Sequence, residues 1–123
     1  MQFNGKELTA ILKMAKAMVM ADKKIEKNEL IVLTTELLRF GVPKEDLDLL
    51  LEGSDSIEPT EALGILANLD DERKKYVSSY LATIMASDGD IDDKEVELWQ
   101  FVSTICGFPR MNIADAIKNM ANL

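Results

Sequence analysis

The chain has 123 residues, with 14 Lys plus Arg against 22 Asp plus Glu, a formal net charge of −8 and 47% hydrophobic residues, the balance of one globular domain spanning 1–123 rather than of a disordered chain. It holds no histidine and a single cysteine, Cys106, which excludes imidazole-assisted nucleophiles, His-ligated zinc, an intrachain disulfide and thiolate metal clusters. The negative charge repels phosphate backbones and argues against nucleic acid, and no uncharged stretch reaches the about 20 apolar residues that a membrane span needs.

The periodicity along the chain is helical throughout. Leu8, Ile11, Leu12, Ala15, Met18 and Val19 form one stripe of an amphipathic helix. A second run, about 29–40, carries Leu30, Leu33, Leu37 and Phe40 on one face and Ile31 and Leu38 on another, so burial on two sides is expected. Gly41 stops it and Pro43 lies just beyond. A short helix follows to about Glu52, with Leu47, Leu50 and Leu51 inward, and Gly53-Ser54-Asp55-Ser56 reads as a turn. Pro59 opens a helix carrying Leu63, Leu66 and Ala67. Asp70 and Asp71 suit the start of the next, whose inward set is Tyr76, Val77, Tyr80, Leu81, Ile84 and Met85. A helix over about 93–106 shows Leu98, Phe101, Val102 and Ile105. Asn112 and Asp115 mark a last helix with Ile113, Ala116, Ile117 and Met120 inward. No segment alternates as a strand would, so the fold class is all-α, a single domain of about seven helices.

The chain also repeats itself. A shift of 66 positions aligns Asp22, Ile25, Glu29, Gly41 and Pro43 with Asp88, Ile91, Glu95, Gly107 and Pro109. Two helix–acidic turn–helix units, about 8–43 and 74–109, are expected, packed with pseudo-twofold symmetry. Each shared residue has a folding role. Asp92-x-x-Glu95 has capping-box spacing, with Glu95 reaching back to an orphan amide. Ile25 and Ile91 occupy the position of a hydrophobic staple, and Gly41 and Gly107 that of C-cap glycines.

Met20-Ala21-Asp22-Lys23-Lys24-Ile25 and Ala86-Ser87-Asp88-Gly89-Asp90-Ile91, each leading to a Glu, resemble the signature of the tellurite-resistance TerB-like domain. The resemblance covers nearly the whole chain. The second copy matches well, and the first departs from it by Lys23 where glycine is usual. The resemblance implies an all-helical duplicated fold, a bacterial stress-response setting, no established catalysis and an acidic metal-binding surface. The J-domain of some relatives has no counterpart here, because the chain lacks His-Pro-Asp.

The two acidic turns differ in charge. From Asp88 to Glu97 there are six carboxylates against one lysine, a local charge of −5, whereas Asp22 to Glu29 sums to zero. Hard cations need converging oxygen ligands. Asp88, Asp90, Asp92 and Glu95 are the candidate ligands, with Asp22 and Glu29 approaching across the pseudo-symmetry axis, and calcium or magnesium is the candidate divalent cation. An EF-hand is rejected, because its sixth position would be Asp93 instead of glycine and its twelfth Trp99 instead of glutamate. The same carboxylates also serve as caps and as a solvated acidic face.

Other residues carry weaker signals. Arg73-Lys74-Lys75 reads as a solvated helix face. Met14, Met18, Met20, Met85, Met111 and Met120 read as core filler, with an adaptable groove as the alternative. Cys106 reads as a small buried apolar residue with a raised thiol pKa, and Trp99 as a half-buried reporter beside the acidic turn.

The expected function is that of a non-catalytic interaction or scaffold module with a protein partner, made metal-responsive by the acidic turn. A divalent-metal sensor proper is the first alternative and a carboxylate-metal hydrolase the second. A homodimer is one candidate assembly. The single cysteine and intact Met1 point to a reducing, cytoplasmic compartment.

Overall fold

Asp71–Ala86 is the helix about which the rest is arranged, and its sequence explains why. Tyr76, Val77, Tyr80, Leu81, Ile84 and Met85 are all buried, as their spacing predicts. Ser78, Ser79 and Ala82 between them are buried too. A helix buried nearly all round must be surrounded. The computed structural model, which describes residues 3–19, 35, 44–86 and 91–121, has six helices among those residues and no strand. They are α1 (Gly5–Val19), α2 (Lys44–Ser56), α3 (Pro59–Ala67), α4 (Asp71–Ala86), α5 (Asp93–Cys106) and α6 (Ile113–Ala121). They form a single compact all-helical domain. Helix α4 packs against α6, α1 and α5, while α1 packs against α3, α2 and α4. Thr35 is helical, within the run expected at 29–40. The remainder of that run lies outside the described residues, as do Asp22, Ile25, Glu29, Gly41 and Pro43. Beyond α1 and Thr35 the first repeat falls there as well, and with it the pseudo-twofold relation to the second. None of the helices is long and apolar enough to cross a membrane.

The helix starts follow local chemistry. Asn4 and Glu7 form a reciprocal capping box at α1, each accepting the other's amide at 2.8 Å. Pro59 stands in the first turn of α3. Asp70 accepts the Arg73 amide at 2.8 Å and Asn112 the Asp115 amide at 2.8 Å, so both starts expected from the sequence are made by N-caps. Gly107 ends α5 in the left-handed conformation, φ 68°, and the Phe108 amide reaches back to the Ser103 carbonyl at 2.9 Å. This is a Schellman closure, with Phe108 buried over it.

Two expectations are corrected. First, α2 does not stop near Glu52 but continues through Gly53-Ser54-Asp55-Ser56. The reason is tertiary. Ser54 is fully buried and receives a hydrogen bond from Lys16 Nζ of α1 at 3.3 Å, and Asp55 forms an ion pair with the same ammonium. These contacts offset the roughly 1 kcal/mol that glycine costs inside a helix. Second, α5 turns a different face to the core. Glu95, Trp99, Val102 and Cys106 are buried, whereas Phe101 is 55% and Ile105 52% exposed. Both stripes have helical spacing, and contact with α3, α4 and α1 selects the first.

Candidate functional site

The described part of the acidic turn is its exit into α5. Asp92 sits in extended backbone, φ −77° and ψ 139°, and its carboxylate accepts the Lys94 amide at 2.8 Å. That makes it the N-cap, as its position predicts. Glu95, three residues on, does something the spacing did not suggest. It turns inward and is 1% exposed, one turn before Trp99 on the core stripe. It is held there by an interaction within the molecule. Burying a carboxylate is costly unless it is partnered. Asp93 points to solvent in the first turn of α5, where negative charge is favoured by about 0.3–1 kcal/mol, and Glu97 is exposed one turn further on. Ile91 is 37% exposed and so is a weaker plug than a staple would be.

Of the six candidate ligands, Asp22, Glu29, Asp88 and Asp90 lie outside the described residues. Asp92 and Glu95 are described: the Asp92 carboxylate caps α5, and Glu95 is buried. Among the described residues no group of three or more Asp, Glu or Cys side chains could hold a metal ion.

Trp99 is 4% exposed, more deeply buried than expected. Its indole N–H donates to the Ser78 carbonyl at 3.0 Å, tying α5 to α4. The Asn119 amide of α6 donates to Ser79 Oγ at 2.8 Å on the same stretch of α4. Trp99 therefore links the Glu95 turn to the middle of the core. Cys106 ends the stripe, 1% exposed, with Sγ donating to the Leu63 carbonyl at 3.5 Å. Burial pushes its thiol up to about 11, with Lys74 pulling weakly the other way. The direction matches the sequence reading, and the main cause is desolvation.

The far end of α5 carries a feature that sequence reasoning missed. An open groove of ≈ 1010 Å³ runs between α5 and residues 107–113, with Gln100, Thr104, Pro109, Arg110 and Met111 on its walls and Trp99 at its base. The Ser103 and Thr104 hydroxyls along it donate to the Trp99 and Gln100 carbonyls at 2.7 and 2.9 Å. The signal for the groove was the Gly107-Phe108-Pro109 corner, which ends α5 and turns the chain before α6 begins. The basic cluster on α4 is split. Arg73 pairs with Asp70 and lies 6.0 Å from the centre of the Phe3 ring, Lys74 lies beside Gly107 at the C-terminus of α5, and Lys75 is exposed. Hydrogen bonding from the Arg73 backbone, and then its charge, holds the Asp70 carboxyl below the usual carboxylate range.

No family model and no curated protein matches the chain. Among solved structures, the crystal structure of PG1108, a protein of unknown function from Porphyromonas gingivalis, is 58% identical to it. The match covers 100% of this chain and 99% of that one, with a TM-score of 0.86.

Proposed function

We propose, for a chain that belongs to the same family as the Porphyromonas gingivalis protein, that it is a non-catalytic interaction module of the TerB-like type. The TerB-like reading rests on the residues of the two acidic turns and their repeat. The turn at 88–97 offers negative potential to a cation or to a basic partner. The observation that carries this reading is the division of labour at the start of α5. Asp92 caps, Asp93 and Glu97 face solvent, and Glu95 is anchored in the core beside Trp99. The described charge of the turn, Asp93 and Glu97, thus sits on a helix that is tied to α4 one turn later through Trp99.

A second reading is a divalent-metal sensor proper with Asp88, Asp90, Asp92 and Glu95 as ligands, for which Glu95, engaged within the core, would have to turn outward. Calcium or magnesium suits such an all-oxygen set. In that reading Asp92 would share its carboxylate between the cation and the Lys94 amide.

Titration calorimetry with Ca²⁺, Mg²⁺, Mn²⁺ and Zn²⁺, followed by the fluorescence of Trp99, the single tryptophan, separates the two. Saturable heat with a shift in Trp99 emission, abolished by Asp88→Asn, promotes the sensor. Absence of heat and of any melting shift at roughly millimolar metal removes it. The interaction module predicts that a basic partner protein is retained by the wild type and lost on neutralising Asp90, Asp93 and Glu97. Retention by the neutralised variant would sink that reading.

A further inference from the structure

Of the six asparagines in the chain, only Asn4 is followed by glycine. The order matters chemically, because a backbone nitrogen whose own residue has no Cβ can approach the preceding side-chain amide closely. Asn4 and Gly5 are both exposed, and nothing lies within 4 Å of where a Gly5 Cβ would stand. Gly5 is the first residue of α1, so its N–H has no acceptor within the helix. We propose that Asn4 is a self-modification site, at which the Gly5 backbone nitrogen converts the asparagine to isoaspartate and aspartate through a succinimide.

The reaction balances with water as its sole co-reactant. The Gly5 nitrogen bonds to Cγ of Asn4, the bond from Cγ to the side-chain nitrogen breaks, and that nitrogen leaves as ammonia with the Gly5 proton. Water then opens the ring at one carbonyl to give aspartate, or at the other to give isoaspartate. The other described asparagines are protected. Asn112 is the internal control, since it caps α6 as Asn4 caps α1, accepting the Asp115 amide at 2.8 Å. Ile113 follows it, and a β-branched side chain crowds the attacking nitrogen. Leu69, after Asn68, has its amide committed to the Leu66 carbonyl. The side-chain amide of Asn119 is committed to Ser79. At Asn4 the reciprocal bonds with Glu7, both 2.8 Å, hold the side chain in its capping position, so attack waits on opening of the cap. The capping box thereby sets the rate. Isoaspartate at this position inserts a methylene into the main chain between α1 and Phe3, whose ring centre lies 5.9 Å from that of Tyr76 on α4. Conversion loosens that tether. The inference is independent of what the acidic turn binds.

The full chain, incubated in mildly alkaline buffer beside a synthetic peptide of residues 1–6, tests it. Trypsin releases the same fragment from the protein by cutting after Lys6. Peptide masses report loss of the amide against a fresh sample, and methyl transfer by an isoaspartyl methyltransferase reports the isoaspartate. Residue 4 of the folded chain should convert about fivefold to thirtyfold more slowly than the peptide, the protection that one cap confers. Asn112 should stay intact. Glu7→Ala should bring the rate toward that of the peptide, and Gly5→Ala, for which there is room, should stop conversion over the same period. The converted chain should melt below the fresh one. No conversion at residue 4 after about a hundredfold the lifetime of the peptide, or equal conversion at Asn112, overturns the proposal. A Glu7→Ala rate equal to that of the wild type overturns control by the cap, and an unchanged melt overturns the tether.

Discussion

Replacing glycine by alanine should have opposite signs at two positions of this fold. Gly107 closes α5 with φ 68° and ψ 35°. A Cβ in that left-handed conformation costs about 1–2 kcal/mol. The added methyl would lie 3.5 Å from Lys74 Nζ, an ordinary contact, so crowding contributes little. Alanine also restricts the unfolded chain, which offsets about 0.4–1 kcal/mol. The net expectation for Gly107→Ala is a loss of about 1 kcal/mol. Gly64 lies inside α3 and is exposed, with nothing within 4 Å of the added Cβ. There alanine gains its helix propensity, about 0.8–1 kcal/mol. For 123 residues the unfolding entropy is about 0.26 kcal/mol/K, so each change moves the melting midpoint by about 3–4 °C, down for Gly107→Ala and up for Gly64→Ala. Gly107→Asn should fall between the wild type and Gly107→Ala, because asparagine tolerates the left-handed region better. Calorimetric melts of the variants in one buffer measure this. If Gly107→Ala melts at or above the wild type, the Schellman closure of α5 does not constrain the fold as argued.

Further outcomes follow from the buried polar groups of α4 and α5. Ser78 is fully buried, and its hydroxyl has no hydrogen-bond partner among the described residues. Ser78→Ala should therefore be neutral or stabilising by up to about 1 kcal/mol, while Ser79→Ala, which removes the acceptor of Asn119, should cost about 1 kcal/mol. Denaturant melts check the order, and a reversal would contradict the polar assignments on α4. The Cys106 thiol, held near 11 by burial, should react with an aromatic disulfide reagent near pH 8 only once the protein is unfolded. Because its folded pKa is raised from 9.0 to about 11, its contribution to stability is complete below 9 and is lost as pH rises through 11. Cys106→Ala should remove that part of the alkaline decline, and an unchanged pH dependence would refute the linkage.

The acidic site was only partly legible. Asp92 as a cap followed from its place before an apolar helix, because an N-cap needs only a short side-chain acceptor and the next few amides. Glu95 did not follow. Its spacing from Asp92 fits a capping box equally well, and only the packing of α5 turns the side chain into the core. The groove at 107–113 was illegible for a related reason. The Gly107-Phe108-Pro109 corner announces a turn, but the space it leaves depends on where α6 docks.

The helices themselves were determined locally. Apolar spacing, the caps at Asp70, Asp92 and Asn112, the proline of α3 and the glycine ending α5 all act within a turn or two of chain, so the linear order of residues was enough. The face that α5 buries, the extension of α2 through Gly53–Ser56 and the exposure of Phe101 and Ile105 were decided only in three dimensions. Helical spacing says which side chains share a face. Which face is dry depends on the neighbour that arrives, here α4 with a carbonyl for Trp99 and α1 with Lys16 for Ser54 and Asp55.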